Sequence, residues 1–241
     1  MVKNQILNHY DLAPEKIDVV YNGVNSKQFN ISLKADKNRL RTVLNINKDD
    51  FVILFIGNGF KRKGLEHLIK GVSRLPANLS YTLLVAGKEK KTDTYKHMAA
   101  QAGCLNHIRF LGYQKDTPSL YGAADLFVLP SAFDPFASVI IESLSSGTPV
   151  ITGRQVGAAE LITHGENGFI VQDYTPDTLA DAMGSFLKTP DKIRMSQKAH
   201  ETAQLYSWDR HMDAMEREFF QVLENKPHAH LKGRQNASYI I

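Results

Sequence analysis

Short apolar runs rich in β-branched residues recur along the chain, each too short for a helix that could stand alone. They are "IDVVY" from Ile17, "FVILFIG" from Phe51, "YTLLVAG" from Tyr81, "IRFLG" from Ile108, "LFVLP" from Leu126, "PVIT" from Pro149 and "FIV" from Phe169. Between most of them lie helical patterns such as "KGLEHLIKGVSRL", "TYKHMAAQAG" and "TPSLYGAAD". The runs are continuous rather than alternating, which suits strands covered on both faces. This order of elements predicts an α/β domain with a mainly parallel sheet and helices on both sides. At 241 residues and 43% apolar, the chain can bury one large core, with extensions.

After Val171 the pattern turns helical. "TPDTLADAMGSFLK" places Thr175 as N-cap and Pro176 at the first helical position, and "TPDKIRMSQKAHETAQLYS" repeats the device with Thr189 and Pro190. A third helix follows Ser207, with Met212, Met215, Phe219, Phe220 and Leu223 on one face that must pack on something. "KNQILNHYDL" reads as a short helix and "NISLKADKNRL" as a loop leading into one. The residues from about Pro227 read as a disordered tail, in which His228 and His230 lack a third metal ligand.

The single cysteine, Cys104, excludes an intramolecular disulfide framework and reads as a packed residue of a protein in a reducing compartment. No apolar run approaches the length of a transmembrane helix and no leader pattern opens the chain, so the expectation is a soluble cytoplasmic protein. The net charge of +4 fits nucleic acid, an anionic membrane or a phosphorylated ligand. Without a basic stripe, a recognition-helix pattern or zinc spacing, a nucleic-acid partner is not expected.

In an open parallel sheet, ligands bind outside the carboxyl ends of the strands. Two strand-ending turns carry chemistry. In "FIGNGFKRKGLEHL", Gly57 and Gly59 close the strand, Lys61, Arg62 and Lys63 crowd the turn, and Gly64 precedes a helix. Backbone amides beside fixed positive charge make an anion site. The turn is no Walker loop, and Arg62 stands where a dinucleotide fingerprint needs its third glycine. The plainer alternative is an exposed basic turn. In "SAFDPFASVIIESLSSGTPVIT", the helix after Pro135 would aim the amides of Phe136, Ala137, Ser138 and Val139 into the same crevice. Gly147 would end that helix. A diphosphate between the two helix starts would give Asp134 and Glu142 a purpose, since acids there accept hydrogen bonds from sugar or ribose hydroxyls. The plainer alternative makes Asp134 a cap, with Glu142, Ser138, Ser145 and Ser146 on a wet helix face.

These turns, with "VVYNGVNSKQF", "IRFLGY", "LYGAADLFVLPS", "GAAELITHGENGFIV" and "YSWDRHMDAMEREFF", resemble the donor-binding half of retaining glycosyltransferases of family 4, whose GT-B fold pairs two Rossmann-like domains. Within the family the chain looks most like bacterial lipopolysaccharide-core sugar transferases. The resemblance implies a nucleotide-sugar-binding domain over residues 1–225, a tail over 226–241, and an acceptor-binding domain outside this chain. It implies transfer from a nucleotide-diphospho-sugar, a UDP-sugar first of all, to a saccharide or lipid-linked saccharide, with no metal cofactor. The paired acids with seven residues between fall on Asp134, facing the donor sugar, and Glu142, holding the ribose. The basic pair on the diphosphate falls on Arg62 and Lys63, backbone groups at Phe136, Ala137 and Ser138 touch sugar and phosphate, and Gly112 and Tyr113 lie near the base.

The sequence departs from the pattern where Asp134 replaces the usual Glu, Ala137 stands where glycine is common, and Asn58 stands where arginine often follows the strand-ending glycine. In the family the last helix crosses to the other domain, so its apolar residues here predict self-association or a mobile end. Peripheral attachment to the inner membrane is the other association the resemblance allows. Three rival readings stand beside it: a non-catalytic nucleotide-binding or interaction module, half of a NAD-type oxidoreductase with Glu89 on the ribose, and a glycoside hydrolase using Asp134 and Glu142.

Overall fold

The computed structural model describes residues 1–224, so the tail expected to be disordered lies outside the described residues. α1 (Val2–His9) opens the chain. A 3₁₀ stretch, Ile31–Asp36, occupies the place expected for a loop and runs into α2 (Lys37–Val43). Asn30 starts it, its side chain accepting the Ser32 amide. Then strands and helices alternate: β1 (Phe51–Ile56), α3 (Leu65–Val72), β2 (Tyr81–Ala86), α4 (Thr92–Gln101), β3 (Ile108–Gly112), α5 (Thr117–Ala123), β4 (Leu126–Leu129), α6 (Ser138–Ser145), β5 (Val150–Gly153) and β6 (Gly168–Val171). Three helices follow, α7 (Pro176–Lys188), α8 (Lys192–Gln204) and α9 (Trp208–Glu224).

Six strands form one parallel sheet in the order β3-β2-β1-β4-β5-β6. Every residue of β1, β2, β4 and β5 is buried, as continuous apolar runs under helices on both faces require. From β1 the chain works outward through β2 to β3, then returns to lay β4 on the other side of β1. In an open sheet of this kind the carboxyl ends of the strands at such a reversal, here β1 and β4, are where ligands bind.

At the amino ends of the same two strands a buried charge cluster ties α2 to the sheet. Asp125, just before β4, accepts the Val52 amide at 2.8 Å and Arg41 Nη2 at 2.7 Å, and pairs with Lys37. Arg41 is buried and donates in addition to the carbonyls of Ala123, Lys48 and Asp50. Burial pushes the Asp125 carboxyl up, but Lys37 and Arg41 outweigh it and hold the group below its ordinary value.

Three expectations are corrected. The run from Ile17 to Tyr21 joins no sheet; beyond it, Val24 makes one parallel bridge to Ser207, its amide donating to the Tyr206 carbonyl. Its partner is the entry to α9, so an apolar extended segment mimics a strand. α8 is capped by Asp191, which accepts the Arg194 amide, while Thr189 caps the end of α7 instead. Ser145 and Ser146 are buried rather than wet because α8 covers that end of α6. Ser145 Oγ donates to the Phe29 carbonyl and the His200 ring reaches the Ser145 carbonyl. The apolar face of α9 stays largely exposed among the described residues, with Met212, Phe219, Phe220 and Leu223 exposed and Met215 half-buried.

Candidate functional site

The turns leaving β1 and β4 run side by side and are locked together by backbone contact. Gly64 has φ +77°, and a Cβ there would lie 2.0 Å from the carbonyl oxygen of Pro130. Ala132 N donates to the Arg62 carbonyl at 3.3 Å, and Ser131 Oγ lies 3.1 Å from the carbonyls of Arg62 and Phe133. Gly64→Ala adds left-handed strain to a clash with rigid backbone. It is expected to lower stability by about 3 kcal/mol or more, read as a shift in the urea midpoint at unchanged slope.

This lock brings Arg62, Lys63 and Asp134 together. Asp134 is 7% exposed. Its Oδ2 lies 3.1 Å from Arg62 Nη1 and is ion-paired with Lys63 Nζ; its Oδ1 accepts the Phe136 amide at 3.2 Å. Burial pushes this carboxyl up, yet hydrogen bonding and charge from Lys63, with help from Arg62, outweigh it and depress its pKa. One oxygen of Asp134 thus caps the turn before α6, as the plainer alternative expects, and the other holds the two cations. An acid held ionised by two cations is ill-suited to donate a proton as a glycosidase acid does.

α6 begins behind Ala137, whose φ of 61° and ψ of 75° are left-handed. That backbone explains why glycine is expected there, since Ala in this region costs about 1–2 kcal/mol. The amides opening the helix lack intrahelical acceptors. Of the four expected to point into the crevice, Phe136 N–H is turned to Asp134 instead. The loop is buttressed by the segment after β5: Gly157 N donates to the Asp134 carbonyl at 2.8 Å and Ala158 N to that of Phe136 at 3.0 Å. A Cβ on Gly157 would meet the Pro135 carbonyl at 1.8 Å. No local signal marks this buttress beyond the glycine itself.

Glu142 is half-buried, not on a wet face, and its Oε2 lies 3.1 Å from the Tyr121 hydroxyl. Burial raises its pKa, opposed by that hydrogen bond. Asp134 and Glu142 thus have separate partners. Tyr121, on α5, is a partner of Glu142 that sequence reasoning missed; a tyrosine inside the apolar pattern "SLYGAA" needs a hydrogen-bond partner when buried, and that was the available signal.

Gly57 and Gly59 close the β1 turn, but their amides donate to the carbonyls of Ala86 and Lys88 and that of Gly64 to Lys61, so the glycine amides expected to meet an anion are already taken and the side chains carry the turn's positive charge. Gly112, with φ +65°, ends β3, and the adjacent Tyr113 is 59% exposed with Lys88 Nζ 4.7 Å from its ring centroid. Glu89, weighed as a ribose-binding acid, accepts the amides of Phe60 and Lys91 and so braces the basic turn. Cys104 is buried, as expected of a packed residue.

Residues 36–204 match the family model described as glycosyl transferases group 1. The chain is 33% identical over 213 residues to D-inositol 3-phosphate glycosyltransferase of Corynebacterium glutamicum, covering 84% of this chain and 51% of that protein. It is 32% identical over 189 residues to the lipopolysaccharide core biosynthesis glycosyltransferase LpsE of Rhizobium meliloti, covering 78% of this chain and 54% of that one. Among solved structures, Anabaena HepE in complex with UDP and glucose superposes with a TM-score of 0.80 at 25% identity, over 91% of this chain and 60% of the other. The chain spans about half the length of the curated relatives it matches.

Proposed function

Because this chain belongs to the group 1 glycosyl transferases, we propose that it is the donor-binding half of a retaining family 4 enzyme of GT-B fold, taking hexosyl groups from a nucleotide-diphospho-sugar. The observation that supports this reading is the meeting of Arg62 and Lys63, from the turn after β1, with Asp134, from the turn after β4, just ahead of the start of α6. Departure of a nucleoside diphosphate builds negative charge on its oxygens. Preorganised cations and helix amides stabilise that charge where water is excluded. HepE's complex with UDP and glucose favours a UDP-sugar, and the similarity to LpsE favours cell-envelope glycans as the product class. The acceptor saccharide or lipid-linked saccharide would be bound by a second domain, so this chain alone would bind the donor better than it turns it over. No helix among the described residues is long and apolar enough to cross a membrane. Cytoplasmic placement, with peripheral attachment at the inner membrane, is part of the proposal.

In this reading Glu142 holds the ribose. Tyr121 fixes one oxygen of its carboxylate, and lone pairs remain for two vicinal hydroxyls. The Gly112–Tyr113 turn would flank the base. Glu142→Ala is expected to weaken UDP binding by about tenfold or more, since hydrogen bonds to a charged group contribute about 1.5–3 kcal/mol. Calorimetric titration reads this directly, and unchanged affinity in a folded variant removes the ribose assignment.

A further inference from the structure

Both cations assigned to the diphosphate already have an anion within the chain. A carboxylate offers about four lone-pair sites, and in Asp134 three are engaged, by Lys63, Arg62 and the Phe136 amide. So placed, and almost wholly buried, its carboxyl is held by the two cations and the loop amide. The two pairs differ in kind. The Lys63 side chain is 10% exposed, and an ammonium so buried needs a permanent counter-charge. The Arg62 side chain is 55% exposed, and an exposed pair contributes little and exchanges readily.

Resting on the diphosphate reading above, we propose that Asp134 is a placeholder anion: it positions Lys63 and Arg62 when no donor is bound, yields Arg62 to the donor's phosphates, and reclaims it as the nucleoside diphosphate leaves. Asp134 is then a positioning residue that sets diphosphate affinity and eases product release. Its own charge opposes the ligand. With Asp134 ionised the three groups sum to +1, and without its charge to +2.

The test compares inorganic pyrophosphate, UDP and UDP-glucose binding to the wild-type chain and to Asp134→Asn, with circular dichroism to verify folding. The expected result is pyrophosphate and UDP bound about tenfold tighter by the variant, although the variant is less stable. Weaker binding of both would make Asp134 only structural, and a loss confined to UDP-glucose would make it a sugar contact; either overturns the proposal. Should Asp134→Asn not fold, wild type labelled with ¹³C at aspartate carboxyls supplies the readout. The Asp134 resonance is expected to shift as pyrophosphate saturates, and an unmoved resonance overturns the exchange. UDP binding no tighter than pyrophosphate would remove the nucleotide reading and leave the placeholder comparison standing. Pyrophosphate bound by neither folded protein removes both.

Discussion

Arg62→Ala weakens UDP binding by about a hundredfold, the expected consequence of removing a charge-assisted pair to phosphate that contributes about 1.5–3 kcal/mol. The guanidinium is the more exposed of the two cations, and among the described residues its polar contacts are to Asp134 and the Phe133 carbonyl. Its loss is therefore expected to change fold stability by no more than about 0.5 kcal/mol. That separation makes it the clean probe. Lys63→Ala would strip a buried carboxylate of its closest partner and mix binding with unfolding. Calorimetry with UDP and a urea melt on the same sample decide the matter. Undiminished UDP affinity in a protein of wild-type stability would remove Arg62 from the diphosphate site. In a complete transferase the same substitution is expected to slow transfer by about 10²–10³-fold, as losing a transition-state charge donor does elsewhere.

The largest loss of stability is expected at the other end of the sheet. Asp125→Ala leaves Arg41 buried beside Lys37 with no carboxylate between them, and orphans the Val52 amide. Breaking one side of a buried pair in this way costs about 3–5 kcal/mol. The folded carboxyl has a depressed pKa, so its stabilisation is fully present above the unfolded value of about 4 and fades as pH falls through the folded one. Urea midpoints of wild type and variant at pH 7 should differ by that amount and should converge on acidification below pH 4. A constant gap across that range would mean that packing, not charge, carries the effect.

Six of the seven apolar runs became strands, and for β1, β2, β4 and β5 the reason is complete burial, which leaves a nearly unbroken apolar run, whereas β3 carries Arg109 and buries only Ile108. Ile17–Tyr21 carries a similar trace, broken only at Asp18, without the sheet. Whether a run finds a neighbour is decided by residues far away, and the nearby partner of Val24 is residue 207. Glycine was the most informative letter at the site: Gly64 and Gly147, named from sequence, do adopt positive φ, and Ala137 was singled out as standing in a glycine's place. What could not be read were contacts across the fold. Glu142 looked wet because a helix wheel cannot see α5, which brings Tyr121 against it, and Ser145 and Ser146 looked wet because it cannot see α8. For α8 the contest between Thr189 and Asp191 was local. It went to the acid next to the helix start, because the threonine was already closing α7.

The sheet has a seam. β1 and β4 are hydrogen-bonded neighbours, yet Ile53 pairs with Leu126 across more than seventy residues of chain, and each half of the sheet otherwise grows from nearby segments. Closing so long a loop is a slow, late event in folding, and the crevice does not exist until it has happened. A diphosphate gripped from the β1 turn by Arg62 and from the β4 turn by the head of α6 would span that seam. Its binding energy would then oppose separation of the two halves, and at a hundredfold excess over Kd it would add about 2.7 kcal/mol to the stability of the whole domain. The ligand would act as the last strand-to-strand fastening, made of charge instead of backbone.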